Sequence, residues 1–280
     1  MRFNPLSPTI GAELTGATFN DILSDALFPE AEQALQQHQL LVIRGLQLTP
    51  AQQLALARKF GHPVPFVMSR YHHPDHPELM ISSNEVQDGK PLGVARVGNF
   101  WHQDSTFTQN PAAYTMLYGI NIPPRSGDTL FASAIDVYCR IPEEWKQRIA
   151  GLQARHTVSK RFRIRAEHVG LSVAELQEVI AQEHPNVLHP LVQIDQDSGR
   201  PYLYASKEYV DAVVGLDRPS SDEFLDLIDQ LTQDPEHVYV HRWQPDDLLI
   251  WKTRVALHAA TAIEPGFSRT VHRASIEARA

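Results

Sequence analysis

Asp247-Leu248-Leu249-Ile250-Trp251-Lys252-Thr253-Arg254-Val255-Ala256-Leu257-His258 decides the architecture: an acidic residue, a strand-sized apolar run over 248–251, and a histidine closing a strand-like stretch. Runs of the same size recur at 40–43, 115–122, 129–132, 191–194, 202–204, 238–243 and 270–276, bounded by glycine, proline or aspartate. Helix signals are fewer. Residues 28–37 carry apolar side chains at helical spacing, and Thr49-Pro50-Ala51-Gln52 offers an N-cap, a first-turn proline and a reciprocal glutamine, with Gly61 closing that helix. Ser172-Val173-Ala174-Glu175 and Ser220-Ser221-Asp222-Glu223 repeat the capping pattern, the second ahead of Phe224, Leu227, Ile228 and Leu231 on one face. Strands and helices do not alternate, and no phosphate-cradling glycine loop follows a strand, so a doubly wound parallel sheet is excluded. The pattern predicts a mostly β fold with flanking helices, its edges hidden in a closed or sandwiched roll.

The 280 residues, 42% hydrophobic and 21% charged, are enough to bury a core without disulfide or metal staples. A net charge of −8 argues against nucleic-acid binding, which draws on a basic surface. The basic run Lys160-Arg161-Phe162-Arg163-Ile164-Arg165 is the local exception, readable as a solvated segment, a surface facing an acidic ligand, or part of a lid. Cys139 is the single cysteine and cannot form an internal disulfide, which fits a cytoplasmic protein. No run of 18 apolar residues suggests a membrane-spanning helix, and Met1-Arg2-Phe3-Asn4-Pro5 lacks the apolar stretch of a secretory signal.

Chemistry concentrates in Phe100-Trp101-His102-Gln103-Asp104-Ser105-Thr106-Phe107. On a strand, residues two apart share a face, so His102 and Asp104 would aim an imidazole and a carboxylate into one space. Completed by a distant histidine, such a pair forms the facial triad of non-haem iron oxygenases. A rival pair, His73-Pro74-Asp75, contains a proline that favours a turn over a central strand. His258 lies 156 residues beyond His102; Arg269 follows it by 11 residues, and Arg273 comes four later. A guanidinium grips a planar carboxylate with two parallel hydrogen bonds, which is what a dicarboxylate chelating a metal at its other end requires.

These residues resemble the taurine dioxygenase / 2,4-dichlorophenoxyacetate dioxygenase family of Fe(II)- and 2-oxoglutarate-dependent oxygenases. The resemblance runs from Ile10-Gly11-Ala12-Glu13-Leu14 and Leu41-Val42-Ile43-Arg44-Gly45 through Ser126-Gly127-Asp128-Thr129-Leu130-Phe131. It continues through Tyr239-Val240-His241-Arg242-Trp243 to Arg269-Thr270-Val271-His272-Arg273-Ala274. It implies a double-stranded β-helix (jelly-roll) core in one domain over residues 1–280. It also implies Fe(2+), 2-oxoglutarate and O2 as cofactors, and a small, anionic, carboxylate- or sulfonate-bearing substrate whose C–H bond is oxidised by hydroxylation or a follow-on outcome. By the same resemblance His102, Asp104 and His258 ligate iron, Arg269 and Thr129 hold 2-oxoglutarate, and Arg273 contacts cosubstrate or substrate. His73, Ser105 and Tyr209 fall where substrate-binding residues occur.

Two departures stand out. Lys252-Thr253 replaces the family's Asp-Asn, which should alter hydrogen bonding around the site and leave the ligands intact. The asparagine that touches taurine in the taurine enzyme falls at Gly98, so taurine itself is disfavoured. Two readings from other classes remain beside the oxygenase: a zinc hydrolase using the same ligands, and a non-catalytic small-molecule binder on the same roll. A homo-oligomer is open.

Overall fold

A computed structural model describes residues 2–279 apart from Val67, Arg96, Arg163 and residues 165–167. Its organising element is a nine-stranded sheet, mostly antiparallel. Four of its strands lie side by side in the order Leu40–Ile43, Leu248–Lys252, Tyr114–Asn121 and Thr270–Glu277, with His76–Ser83 beyond them. The period-2 alternation of these strands sorts their side chains into two cores. Leu41, Ile43, Met116, Tyr118, Leu248, Ile250, Ala274 and Ile276 turn to one side and pack under the helices Leu27–His38 and Pro50–Phe60. Leu40, Val42, Leu249, Trp251 and Val271 turn to the other and meet Phe131 and Ala256 of a second sheet.

That second sheet has three strands in the order Tyr239–His241, Thr129–Ser133 and Ala256–Ala260. Phe131 is fully buried between the layers and meets Trp251 edge-on at 5.3 Å. Two aromatic side chains this buried are each worth several kcal/mol, about 25 cal/mol per Å² removed from water. The space between the layers is therefore a rigid wall on which polar groups can be mounted.

Most expected elements stand where their local chemistry put them. Thr49 and Gln52 form the reciprocal capping box, and so do Ser172 and Glu175. The helix expected after Ser220 begins earlier, at Arg218, because Asp217 supplies the cap and accepts from the Ser220 amide. Ser221 is withdrawn from capping altogether; its buried hydroxyl accepts from the Val213 amide. The strand-like stretch at His258 is the strand Ala256–Ala260, while the strand His76–Ser83 has no counterpart among the expected runs. Among the described residues no helix is long and apolar enough to cross a membrane.

Candidate active site

His102 and Asp104 do not share a strand face. Residue 102 forms an isolated bridge to His258, with backbone bonds in both directions at 3.0 and 2.9 Å, and Asp104 sits in the turn that follows. The bridge sets the two imidazoles side by side, ring centroids 4.2 Å apart. Between the ligands, the buried Gln103 amide donates to the carbonyls of Leu203 and Arg254, so the intervening backbone cannot swing. Ser105 then takes the left-handed conformation (φ 56°), and its carbonyl accepts from the Thr108 amide and hydroxyl, which closes the turn. These contacts replace strand alternation as the cause of convergence.

Ligand atoms from His102, Asp104 and His258 lie within 4.8 Å of one another, the one such metal-capable group among the described residues. All three side chains are buried. His102 Nδ1 is 2.8 Å from the Phe100 carbonyl, which can only accept, so Nδ1 carries the proton and Nε2 presents its lone pair. The Nε2 atoms of His102 and His258 stand 3.6 and 3.7 Å from the two oxygens of Asp104, beyond ordinary hydrogen-bonding distance. Burial pushes the His258 imidazole down to about 3, with His102 and Arg273 acting the same way and Asp104 opposing them, so the ring is neutral as a ligand must be. Burial raises the Asp104 carboxyl, but Arg273, His258 and His102 outweigh it and hold the group well below the usual carboxylate range. Two imidazoles and one carboxylate in a buried pocket are a donor set that fits a divalent metal such as ferrous iron.

Asp104 is held from two further directions. Arg273 reaches Oδ1 at 3.0 Å, and the Thr115 hydroxyl donates to Oδ2 at 2.8 Å. Thr253 lies 3.3 Å from that same Thr115 hydroxyl, so one residue of the Lys252-Thr253 pair joins the support of the carboxylate. The other, Lys252, faces away from the metal ligands: buried, it pairs with Asp195 and, at 2.6 Å, with Asp197, tying the 195–200 turn to the central sheet. The sequence held no signal for Thr115, whose role depends on a register across strands.

At the far end of the pocket Thr129 and Arg269 are both buried. Arg269 forms no ion pair among the described residues, and burial lowers its guanidinium to about 10 against the opposing pull of Asp128. An unpaired buried cation costs several kcal/mol, which a carboxylate ligand would offset. Gly127 allows this placement: its backbone is left-handed (φ 74°), and a Cβ there would lie 3.1 Å from Arg269 Cδ. Gly98 keeps space in the same way beside His102, whose Cε1 would be 3.0 Å from an added Cβ.

Of the residues expected near substrate, Tyr209 is brought to the site, its ring 5.9 Å from His102 and packed on Phe100 and Phe107. Burial first, then Asp104, raises its phenol to about 12. Ser105 lies beside the ligand turn. His73 is not in the pocket. A register shift between His72 and His73 turns it onto His272, on the face opposite Arg273, with ring centroids 5.3 Å apart. His72 pairs with Met80, which pairs with Arg273, but the His72 imidazole lies 2.6 Å from the Phe66 carbonyl and does not line the pocket. Lys160 and Arg161 are pinned to residues 207–210, and Arg161 covers the Phe100 ring at 4.2 Å, near the ligands. Arg163 and Arg165 of that basic run lie outside the described residues.

Fold and donor set together define a mononuclear non-haem metal oxygenase site of the two-histidine, one-carboxylate class. The model of the family "Taurine catabolism dioxygenase TauD, TfdA family" matches residues 2–275, and the chain belongs to this family of α-ketoglutarate-dependent dioxygenases. It is 32% identical over 287 residues to the α-ketoglutarate-dependent 2,4-dichlorophenoxyacetate dioxygenase of Cupriavidus pinatubonensis, covering 97% of this chain and 96% of that protein. It is 30% identical over 274 residues to pentalenolactone F synthase of Streptomyces avermitilis, covering 94% and 90%. The crystal structure of AAD-2 in complex with Mn(II) and N-oxalylglycine superimposes with a TM-score of 0.81 at 25% identity, covering 99% of this chain and 98% of that one.

Proposed function

We propose that the protein oxidises a C–H bond of a small carboxylate- or sulfonate-bearing molecule, acting as one double-stranded β-helix (jelly-roll) domain over residues 1–280 in the cytoplasm. His102, Asp104 and His258 hold ferrous iron, and Thr129 and Arg269 hold the distal carboxylate of 2-oxoglutarate. Iron with 2-oxoglutarate supplies the activation of dioxygen that the side chains themselves cannot perform. One observation carries the reading: Arg269, a buried guanidinium with no ion pair among the described residues, lines the same pocket as His102, Asp104 and His258.

Arg273 is the substrate's anion anchor, placed beside the ligand carboxylate at 3.0 Å. The name of the 2,4-dichlorophenoxyacetate relative supports a carboxylic acid at this position. Tyr209 and Ser105 wall the substrate side. Trp251, Leu117 and Val271 exclude water from the buried end.

The test is an anaerobic titration with Fe(II) and 2-oxoglutarate, followed by a screen of small acids for oxygen-dependent succinate release. We expect succinate coupled to a carboxylate or sulfonate substrate, and loss of 2-oxoglutarate binding in Arg269→Ala. Product formation that continues without oxygen would instead identify a metallohydrolase.

A further inference from the structure

We propose that Trp243 is a positioning residue for the cosubstrate: it fixes the direction of the Thr129 hydroxyl and the place of the Arg269 guanidinium. This rests on the reading of Thr129 and Arg269 as the distal-carboxylate pair, and extends it to a residue that does not line the pocket. Trp243 follows the Tyr239–His241 strand, which pairs with Thr129–Ser133 so that Thr129 lies opposite His241. The pairing brings the indole against the anchor.

Its Nε1 is 3.0 Å from Thr129 Oγ1, and both groups are buried. An indole N–H can only donate, so the threonine oxygen accepts there and its own proton must be spent elsewhere. Among the described residues that hydroxyl donates to nothing, and Thr129 lines the pocket. The indole thus makes Thr129 a donor toward an incoming anion, and accepting one bond strengthens the bond it can donate. The face of the same ring lies 5.0 Å from the Arg269 guanidinium carbon, a cation–π placement that keeps the fork beside the hydroxyl. The ring is itself held: His241 meets it edge-on at 4.8 Å, and Gly119 leaves room where an added Cβ would lie 3.3 Å from Cε3. One side chain therefore organises both donors that a carboxylate needs, one with its edge and one with its face.

The test compares 2-oxoglutarate with 2-oxovalerate, which has the same chain length and no distal carboxylate. Binding of each to the Fe(II)-loaded protein under argon is measured by calorimetry. Trp243→Phe keeps the ring face and removes the donor; we expect about tenfold weaker 2-oxoglutarate binding, the size of one charge-assisted hydrogen bond, with 2-oxovalerate changed by less than about twofold. Trp243→Leu removes both contacts and should weaken 2-oxoglutarate by about a hundredfold. Adding Thr129→Val to Trp243→Phe should cost less than the two losses combined, since both act on one contact. Equal weakening of the two acids, or unchanged 2-oxoglutarate affinity, overturns the proposal. If Trp243→Phe does not fold, 3-benzothienylalanine at position 243, which has sulfur in place of the N–H, gives the same reading. Arg269→Leu and Thr129→Val separate the two levels. If they leave the preference for 2-oxoglutarate intact, the anchor reading itself fails; if they abolish it while Trp243→Phe does not, only the role of Trp243 falls.

Discussion

The two ends of the pocket treat buried charge in opposite ways. At the ligand end Asp104 is compensated by the protein: Arg273 at 3.0 Å, the Thr115 hydroxyl at 2.8 Å and two imidazoles surround it. At the anchor end Arg269 is just as buried and has an aromatic face beside it, but it forms no ion pair among the described residues, and Asp128 only partly offsets its burial. The difference separates a charge that the fold pairs from one that it leaves without an ion pair among the described residues. Removing a charge should therefore destabilise the first end and relieve the second.

The largest effect is expected from Asp104→Ala, which strands Arg273. Breaking a buried pair from one side costs about 3–5 kcal/mol, to be read from urea unfolding of the metal-free protein. Because the folded carboxyl lies well below its ordinary value of 3.8, this contribution is complete above that value and is lost only as pH falls through the lower folded one. The margin between wild type and variant should thus be flat from neutral pH to about pH 5 and shrink only in stronger acid. Thr115→Val keeps the shape and deletes one hydrogen bond to the ligand carboxylate; metal affinity should fall about 10-fold or more, measured by competition with a chelator. Smallest and opposite in sign, Arg269→Met should leave the metal-free protein as stable or stabilise it by about 1 kcal/mol. A clear loss of stability there would mean that the anchor end is also balanced from within, and the contrast would fail.

What was legible in the sequence was local. Capping boxes at Thr49 and Ser172 depend on residues three apart, and the structure repeats them atom for atom. Ser220-Ser221-Asp222-Glu223 offers the same pattern, but Ser220 sits inside the first turn, where its amide donates to the true cap, Asp217. His102, Asp104 and His258 were legible as residue types at a telling spacing, while the reason they meet is tertiary: a bridge and a left-handed turn. His73 shows the limit most sharply. One register shift turns His73 onto His272, on the face opposite Arg273, and such a shift leaves no trace in composition. Thr115 and Trp243 were out of reach for the same reason, since each acquires its partner across strands distant in sequence.

The reciprocal bridge between His102 and His258 also bears on the order in which the protein matures. A growing polypeptide leaving the ribosome carries the first histidine and the aspartate long before the second histidine is synthesised, and the backbone bonds at 3.0 and 2.9 Å that align them form only once both segments exist. Cofactor capture therefore follows translation through His258, and a truncated product ending earlier lacks one of the three ligands.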